Sequence, residues 1–242
     1  MSFDVQERSA CVTCPLRPIS FCGTLLDQPE KPQQLSRPRL RQAFGAAGPY
    51  QTIHFRGERS DDAYILCHGW AAGVAQLADG RKQILSIMLA GDLCSSKMIF
   101  QESLHFSIQA LTHIRFSRVN REDVKARLIA NPMTLEALGK LCAEEGKTAD
   151  DLLVDLGRRS AEERIAHLIL SLAERIARRS VIREQRYPFP LRQQDIADIL
   201  GLTSVHVSRV ITRFRKANLV EFSGGNLRIV NFSELERIGR PR

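Results

Sequence analysis

The stretch from Arg192 to Ala217, RQQDIADILGLTSVHVSRVITRFRKA, predicts two short helices joined by a tight turn. Apolar residues of the first helix recur at helical spacing: Ile196, Ala197 and Leu200. Gly201 ends this helix, because a residue without a Cβ takes the left-handed conformation readily. Thr203 or Ser204 caps the second helix, since its hydroxyl accepts a bond from an otherwise unpaired backbone N–H. Two helices with a short glycine-containing turn are typical of a helix-turn-helix, whose second helix enters the DNA major groove.

The second helix and the residues after it extend this prediction. Its apolar face consists of four residues: Val207, Val210, Ile211 and Phe214. An ordinary amphipathic helical hairpin would show the same short pattern. However, the runs 220–222 and 227–230 are rich in strand-forming residues, and Ser223-Gly224-Gly225-Asn226 between them favours a β-hairpin turn. We therefore predict a winged helix-turn-helix.

Basic residues are concentrated in the last quarter of the chain. The net charge is +8, from 35 basic and 27 acidic residues, and residues 186–242 contribute ten Lys or Arg against five Asp or Glu. This excess around a helix-turn-helix is the electrostatic pattern expected for contact with DNA phosphates. A solvated surface can carry the same excess, so the charge only reinforces the motif.

Several classes of protein are excluded by the rest of the sequence. The 242 residues suffice for two domains of ordinary size. No apolar run approaches the roughly 20 residues of a membrane span, so we expect no membrane partner. The first residues, MSFDVQERSACVTC, lack the apolar segment of a secretory signal, which favours a cytoplasmic location. The sequence has no nucleophile elbow, P-loop, H-E-x-x-H or dinucleotide motif, so we expect no enzyme.

Residues 50–119 have the pattern of a β domain. Short strand-like runs alternate with turn signals: TIHF, AYILC, WAAGVAQLA, RKQILSIML, HFSIQAL and HIRFSRV. Regular short strands of this kind predict an antiparallel sandwich or barrel. Before them, Pro29 to Pro38 is polar and interrupted by prolines, and Arg39 to Phe44 is expected to form one or two helical turns.

Two helices are predicted after the strands. Asn120 is a suitable N-cap for the first, which runs to about Ile129, and Pro132 can begin a much longer one. An apolar stripe follows this long helix: Leu135, Leu138, Cys142, Ala149, Leu152, Leu153 and Leu156. Glu145 occupies the missing position of the stripe, beside Gly146. The heptad-like spacing favours pairing with a second copy of the helix, and packing against the β domain is the alternative.

These segments together resemble the Crp/Fnr family of bacterial transcription regulators. The resemblance spans Cys11 to Val230 and depends on three motifs: LAGDL at 89–93, SAEERIA at 160–166 and DIADILGLTSVHVSR at 195–209. It implies an α+β fold with a jelly-roll sensor domain, similar to cyclic-nucleotide-binding domains, at 45–119. It also implies dimerisation helices at 120–157 and the winged domain at 158–242, with 1–44 as a cysteine segment with short helices. The protein would then be a homodimer that binds palindromic double-stranded DNA.

Within the family the sequence is similar to the Fnr and FixK branch. The positions at which the cyclic-AMP receptors hold a Gly-Glu and an Arg-Ser pair contain Ser95-Ser96 and Leu104-His105. Without that arginine and that carboxylate, a cyclic nucleotide loses its charge-assisted bonds, so we expect none to bind. The Asp79-Gly80-Arg81 hairpin matches the place where the family contacts RNA polymerase, which implies an activator.

Three of the six cysteines lie within twelve residues, at Cys11, Cys14 and Cys22. In a cytoplasmic protein such clustering indicates metal binding or isolated thiols rather than disulfides. Fnr-type sensors hold a [4Fe–4S] cluster with three such cysteines and a fourth from the β domain, and thiolates suit iron–sulfur chemistry. The resemblance places Ser117 at the fourth position of the family, so Cys94 is the predicted fourth ligand, and a carboxylate, a histidine or an exogenous ligand are the alternatives for it. Thiol-based redox sensing, zinc, or no cofactor are the alternatives.

The family resemblance also assigns the DNA contacts. A Glu-x-x-Ser-Arg pattern reads the half-site, and here it is Val205-His206-Val207-Ser208-Arg209. Arg209 is suited to a bidentate contact with guanine, whereas Val205 in place of glutamate implies an altered half-site. His206 adds a base or phosphate contact, and further residues position the duplex through phosphates: Arg192, Arg213, Arg215 and Lys216. Ser204 completes the predicted interface.

Two functions from different classes follow. The first is a homodimeric DNA-binding regulator that responds to oxygen, nitric oxide or redox state, or a thiol-based or cofactor-free FixK-like regulator. The second is a small-ligand or metal-binding module whose C-terminal helices serve protein association. Only the first predicts DNA affinity that falls steeply with salt.

Overall fold

The structure, a computed structural model, describes residues 11, 13–26, 40–180 and 182–240. The polar, proline-containing segment 29–38 therefore lies outside the described residues. The chain divides into two units, one formed by residues 1–77 and 85–146 and the other by 78–84 and 147–242. No helix in the described ranges is both long and apolar enough to span a membrane.

Seven strands form two sheets in the first part of the chain. Their bounds are β1 Gln42–Ala47, β2 Thr52–His54, β3 Asp62–His68, β4 Trp70–Gln76, β5 Lys82–Leu89, β6 Ser107–Ala110 and β7 Ile114–Asn120. The strand orders are β1-β7-β3 and β2-β6-β4-β5, and the pairs β1–β7, β3–β7, β2–β6 and β4–β6 are antiparallel. This arrangement confirms the predicted β domain.

The first strand corrects the sequence prediction. Helical turns were expected up to Phe44, but β1 begins at Gln42 and pairs with β7, with Gln42 opposite Val119. The short run Gln42–Ala47 fits either structure by its local pattern, and pairing with β7 decides between them. The domain boundary predicted between residues 44 and 45 therefore falls inside a strand.

A 3-10 turn and two short α-helices accompany the sheets. A 3-10 turn, Arg17–Ile19, precedes α1, Phe21–Leu26, and α2 covers Lys97–Phe100. Phe21 and Leu25 of α1 are 7% and 1% exposed and belong to the same core cluster as Leu66 and Ile108. Burying a side chain of this size contributes about 1.5–3 kcal/mol. The N-terminal cysteine segment is thereby attached to the sheets.

Two helices follow the sheets, α3 at Arg121–Ala130 and α4 at Pro132–Arg158. Both predicted starts are confirmed, since the Asn120 side chain accepts from the Glu122 N–H at 3.2 Å and Pro132 opens α4. The long helix presents different faces to the core and to solvent. Leu138 is 3% exposed and belongs to the core of its own β domain, so its prediction as a dimer-seam residue is wrong.

The second unit contains the remaining elements. They are α5 Ala161–Ala177, β8 Arg186–Pro188, α6 Gln193–Leu200, α7 Ser204–Lys216, β9 Val220–Ser223, β10 Asn226–Ile229 and α8 Phe232–Gly239. The predicted capping box at the start of α5 is present, because Ser160 and Glu163 bond to each other's backbone N–H. The hairpin β9–β10 is confirmed, and β8 adds a third strand beside β10 that the sequence pattern did not reveal.

Helix α5 forms the centre of this unit. Its residues Ile165, Ile169 and Leu170 are fully buried. A Cβ placed on Gly239 of α8 would lie 2.8 Å from the backbone nitrogen of His167, so only glycine allows this close approach of α8 to α5. Helix α8 therefore packs directly against the buried central helix of the unit.

Candidate functional site

The turn between α6 and α7 has a fixed geometry. Asp195 is buried, and its Oδ2 accepts from the Arg192 backbone N–H at 2.7 Å, which caps the start of α6. At the other end, Gly201 has a φ of 62°, the left-handed conformation predicted for the helix C-terminus. The Thr203 hydroxyl then accepts from the His206 N–H at 3.2 Å and begins α7. Thr203, rather than Ser204, is therefore the N-cap.

Helix α7 is held by the four apolar residues that its sequence predicted to lie inward. Val207 and Val210 are fully buried, and Ile211 and Phe214 are 6% and 3% exposed. Because these residues recur at three- and four-residue steps, they fix one face of the helix against the unit. The opposite face is consequently left to solvent.

The solvent face of α7 and the start of α6 line a shallow concavity. Its residues are Gln193, Ser204, Val205, Ser208, Arg209, Thr212 and Arg213. Five predicted DNA-contact residues are thus brought together on one surface. Gln193 and Thr212 were missed, although Thr212 follows Ser208 and Val205 at helical spacing. His206 and Arg192 are exposed but are not part of the concavity's lining.

The two arginines on this surface differ in their ion pairing. Arg209 is exposed and makes no hydrogen bond or ion pair with any described residue, so its guanidinium faces solvent. Arg213 instead forms an ion pair of 2.5 Å with Glu162 of α5. Val205 is 60% exposed, which is unusual for a large apolar side chain and places a methyl-bearing group beside the arginine.

The N-terminal cysteines lie on a compact turn beside the β domain. The Arg17 N–H donates to the Cys14 carbonyl at 3.1 Å, and Arg17 Nη1 donates to the Cys11 carbonyl at 3.5 Å. A Cβ on Gly23 would lie 1.8 Å from the Arg17 carbonyl oxygen. The glycine therefore allows Cys22, its neighbour, to sit directly against the segment that carries Cys14.

Cys67 is close to this segment, which the sequence did not predict. The pKa of Cys22 is raised to about 12, most of all by burial and further by the thiols of Cys11, Cys67 and Cys14, whereas the Arg17 guanidinium acts to lower it. Cys67 lies in β3 and is partly exposed. Sequence reasoning missed it because 45 residues of chain separate it from Cys22.

Cys94, the residue predicted as a fourth ligand, has a different environment. It is 4% exposed and belongs to the core cluster. Burial raises its pKa, with smaller contributions from Asp92 and Cys67. The described groups that act on Cys94 do not include the three N-terminal cysteines, so the structure does not bring it together with them. Across the described ranges, no three His, Cys, Asp or Glu side chains are already arranged to hold a metal ion.

Ser117, the residue at the family's usual cysteine position, is 1% exposed. Its hydroxyl accepts from Gln42 Nε2 at 2.7 Å, and the same nitrogen lies 3.9 Å from Cys11 Sγ. Gln42 therefore connects the position of Ser117 to the first N-terminal cysteine.

Comparison with known proteins identifies the family. Residues 163–238 match the Crp-like helix-turn-helix domain, and residues 47–131 match the cyclic nucleotide-binding domain. The nitrogen fixation regulation protein FixK of Rhizobium meliloti is 30% identical over 194 residues, which cover 78% of this chain and 82% of FixK. The chain belongs to the Crp/Fnr family. It falls in the FixK-like branch of that family and is a transcription regulator, not an enzyme.

Two further likenesses agree with this Crp/Fnr assignment. The transcriptional activatory protein AadR of Rhodopseudomonas palustris is 28% identical over 226 residues, covering 93% of this chain and 91% of AadR. The structure of FixK2 from Bradyrhizobium japonicum matches with a TM-score of 0.75 at 24% identity, covering 84% of this chain and all of that one. The latter likeness shows the fold.

The β domain of this chain differs from the cyclic-AMP receptors at the positions that form their nucleotide pocket. Ser96 is 7% exposed, and its N–H and hydroxyl donate to the two carboxylate oxygens of Glu145 at 2.9 and 2.5 Å. Glu145 therefore faces the β domain. The sequence had placed it in an outward stripe of α4, and this prediction is wrong. Leu104, at a second pocket position, is 2% exposed in the core.

Proposed function

We propose that this chain is a homodimeric transcription activator of palindromic DNA whose DNA affinity is controlled by an N-terminal iron–sulfur cluster sensitive to oxygen, nitric oxide or redox state. The single observation that carries the DNA-binding part is the solvent face of α7, where Arg209 has no partner among the described residues. An exposed, unpaired guanidinium at the start of a recognition helix is suited to a bidentate contact with guanine O6 and N7.

The neighbours of Arg209 set the rest of the half-site. Ser204 and Ser208 line the same concavity and can donate to bases or phosphates. Val205 contributes an apolar contact to a thymine methyl where the family pattern has a glutamate that accepts from a base amino group. The half-site therefore retains its central guanine and differs beside it. His206 adds a base-edge or phosphate contact, and cations outside the concavity bind phosphates: Arg192, Arg215 and Lys216.

An exposed stripe on α4, called the outer stripe, supports the dimer. Its members alternate at steps of four and three along the solvent face: Leu135, Gly139, Cys142, Gly146, Ala149 and Leu153. Leu135 and Leu153 are 56% and 68% exposed. This outer stripe differs from the predicted one by one residue at two positions, with Gly139 in place of Leu138 and Gly146 in place of Glu145, and it keeps Leu153 of the predicted pair Leu152 and Leu153. Heptad-like spacing and small central residues suit close contact with a second copy.

Leu156, the last residue of the predicted stripe, has another role near the end of α4. Leu156 Cδ2 lies 3.2 Å from the position of a Cβ on Gly201, so Leu156 packs against the turn of the helix-turn-helix in the same unit. We assign the seam to the outer stripe and Leu156 to this internal contact. Leu152, which is half-buried, borders the seam.

The cysteines fit an iron–sulfur cluster by the chemistry of their donors. Cys11, Cys14 and Cys22 provide soft sulfur ligands, and Arg17 supplies a cation beside them. When bound, the cluster supplies reactivity towards oxygen and nitric oxide. Glu145 beside Ser96 places a carboxylate at the nucleotide-pocket position, which opposes a phosphodiester, so we propose no cyclic-nucleotide effector.

The hairpin tip supports contact with RNA polymerase. Asp79 accepts from the Arg81 N–H at 3.0 Å and pairs with its guanidinium at 2.7 Å, while both side chains remain more than half exposed. The pair holds the Asp79-Gly80-Arg81 loop in a defined shape that a partner protein can recognise. We therefore propose this loop as the polymerase contact of an activator.

Selection from a random duplex library tests the proposal. Protein purified without oxygen should enrich a two-fold symmetric sequence with half-sites about one helical turn apart. Air exposure should weaken its affinity for the selected duplex, and an absorption spectrum taken in parallel should show loss of the cluster. Enrichment without any spectral cluster would favour a thiol-based or cofactor-free regulator. No enrichment at low salt would contradict DNA recognition and favour a small-ligand or metal-binding module.

A further inference from the structure

The strand register places Cys67 beside the position where the family holds its fourth cysteine. Ser117 of β7 pairs with Ile65 of β3, and the register shifts between Leu66 and His68. Cys67 lies at this shift, and a bulge of this kind redirects the side chain that it carries. The Cys67 thiol points back along the strand, since Sγ lies 3.7 Å from the Ile65 carbonyl oxygen. The thiol is therefore next to the residue that pairs with Ser117.

The N-terminal cysteines approach the same place from the other side. Gln42 Nε2 bonds to Ser117 Oγ at 2.7 Å and lies 3.9 Å from Cys11 Sγ. The close approach of Gly23 to the Arg17 carbonyl keeps Cys22 beside this segment. The pKa of Cys22 supports the same proximity, because burial raises it most and the thiols of Cys11, Cys67 and Cys14 raise it further.

We propose that Cys67 is the fourth thiolate ligand of a [4Fe–4S] cluster that Cys11, Cys14 and Cys22 also bind. The inference rests on the cluster in the proposed function and identifies the residue that completes its ligand set. Ser117 cannot supply a soft sulfur ligand, and Cys94 is 4% exposed in the apolar core. Cys67 is partly exposed, so a cluster at the surface of β3 can reach its sulfur.

Binding changes the protonation of the four thiols. Each sulfur forms a bond to one iron and loses its proton, so four protons are released and the [4Fe–4S]²⁺ core with four thiolates carries a net charge of −2. The Arg17 guanidinium, which acts to lower the pKa of Cys22, stabilises the thiolates by offsetting part of this negative charge. The side chains converge as the metal binds, because metal binding and local folding are coupled in sites of this kind.

Anaerobic reconstitution with sulfide and equal amounts of ferrous and ferric iron, which together give the 2+ core without a further oxidant, tests the assignment. The wild type should bind about four iron and four sulfide ions per chain. Cys67→Ala should retain at most about three of the four iron ions, because a missing thiolate leaves one iron exposed to loss. Cys94→Ala and Cys142→Ala are the matched controls and should retain the wild-type content. The double variant Cys67→Ala/Ser117→Cys should recover the cluster, since it restores a thiolate beside the same strand pair.

A second measurement does not depend on the variants folding. In wild-type protein, alkylation followed by mass spectrometry should show Cys67 protected when the cluster is bound and modified after its removal, with the buried Cys94 unmodified in both states. Full iron in Cys67→Ala, or unchanged alkylation of Cys67, would overturn the assignment while leaving a cluster in place. A wild type that takes up no cluster would overturn both this inference and the sensing part of the proposed function, and DNA selection would remain a separate result.

Discussion

Asp155 and His167 form a buried pair, with Asp155 Oδ2 3.0 Å from His167 Nδ1. Asp155 also pairs with Arg159 through its other oxygen. The side chains of Asp155 and His167 are 6% and 11% exposed. The pair joins the last turns of α4 to α5, the central helix of the DNA-binding unit.

Removing this carboxylate should destabilise the DNA-binding unit. Asp155→Ala leaves His167 and Arg159 without their shared partner, and loss of one member of a buried pair costs about 3–5 kcal/mol. Urea denaturation should show this loss as a lower free energy of unfolding. Asp150→Ala, at an exposed position of the same helix, should change it by no more than about 0.5 kcal/mol. Equal effects of the two substitutions would contradict a structural role for the pair.

His54 should make the β domain sensitive to mild acid. Its ring is 1% exposed, neither ring nitrogen has a hydrogen-bond partner among the described residues, and Glu58 Oε2 lies 3.9 Å from Nδ1. Burial lowers the pKa of His54 below its usual 6.5, and Glu58 opposes this only in part. The unfolded chain therefore binds a proton more readily than the folded chain as the pH falls below about 6.5.

The melting temperature of the wild type should accordingly fall between pH 7 and pH 5. Above the pKa of His54 in the unfolded chain, this residue should no longer affect the melting temperature. His54→Phe removes the titrating group and keeps a planar ring beside Tyr64, whose ring centre lies 5.8 Å away. Thermal unfolding of this variant should depend less on pH over the same interval. The same pH slope in both proteins would show that His54 does not titrate on unfolding.

The proposed dimer should be sensitive to charge on the outer stripe of α4. Leu153→Glu introduces a carboxylate next to its copy across the two-fold axis and should raise the dimer dissociation constant at least about tenfold. Because Leu153 is 68% exposed in the single chain, the monomer should still fold. Sedimentation measures the oligomeric state, and Lys140→Glu, off the stripe, is the matched control. A Leu153→Glu protein that remains dimeric would place the seam elsewhere.

Local and long-range features differ in how far the sequence predicts them. Gly201 and the inward face of α7 depend on contacts within a few residues, so the helix-turn-helix was predicted correctly. Leu138 and its exposed neighbour Gly139 belong to two stripes one residue apart, and only packing shows which stripe the β domain covers.

Cys67 illustrates the same limit for the cysteine site. Its proximity to Cys22 depends on the pairing of β3 with β7 and on the seating of α1 in the core. The local sequence pattern predicts neither the pairing of these strands nor the position of α1. A turn next to Cys94 suggested that residue instead, although its side chain points into the apolar core.

The most direct test of DNA recognition is the affinity of wild type and Arg209→Ala for the selected duplex and for a random duplex, measured without oxygen at several salt concentrations. Loss of the guanine contact costs about 1–3 kcal/mol, so affinity for the selected duplex should fall by about 5- to 150-fold while affinity for the random duplex changes little. Arg215→Ala, at a proposed phosphate contact, should weaken both and reduce the salt dependence. An Arg209→Ala protein that still prefers the selected duplex as strongly as the wild type would contradict the central claim that α7 reads DNA through Arg209.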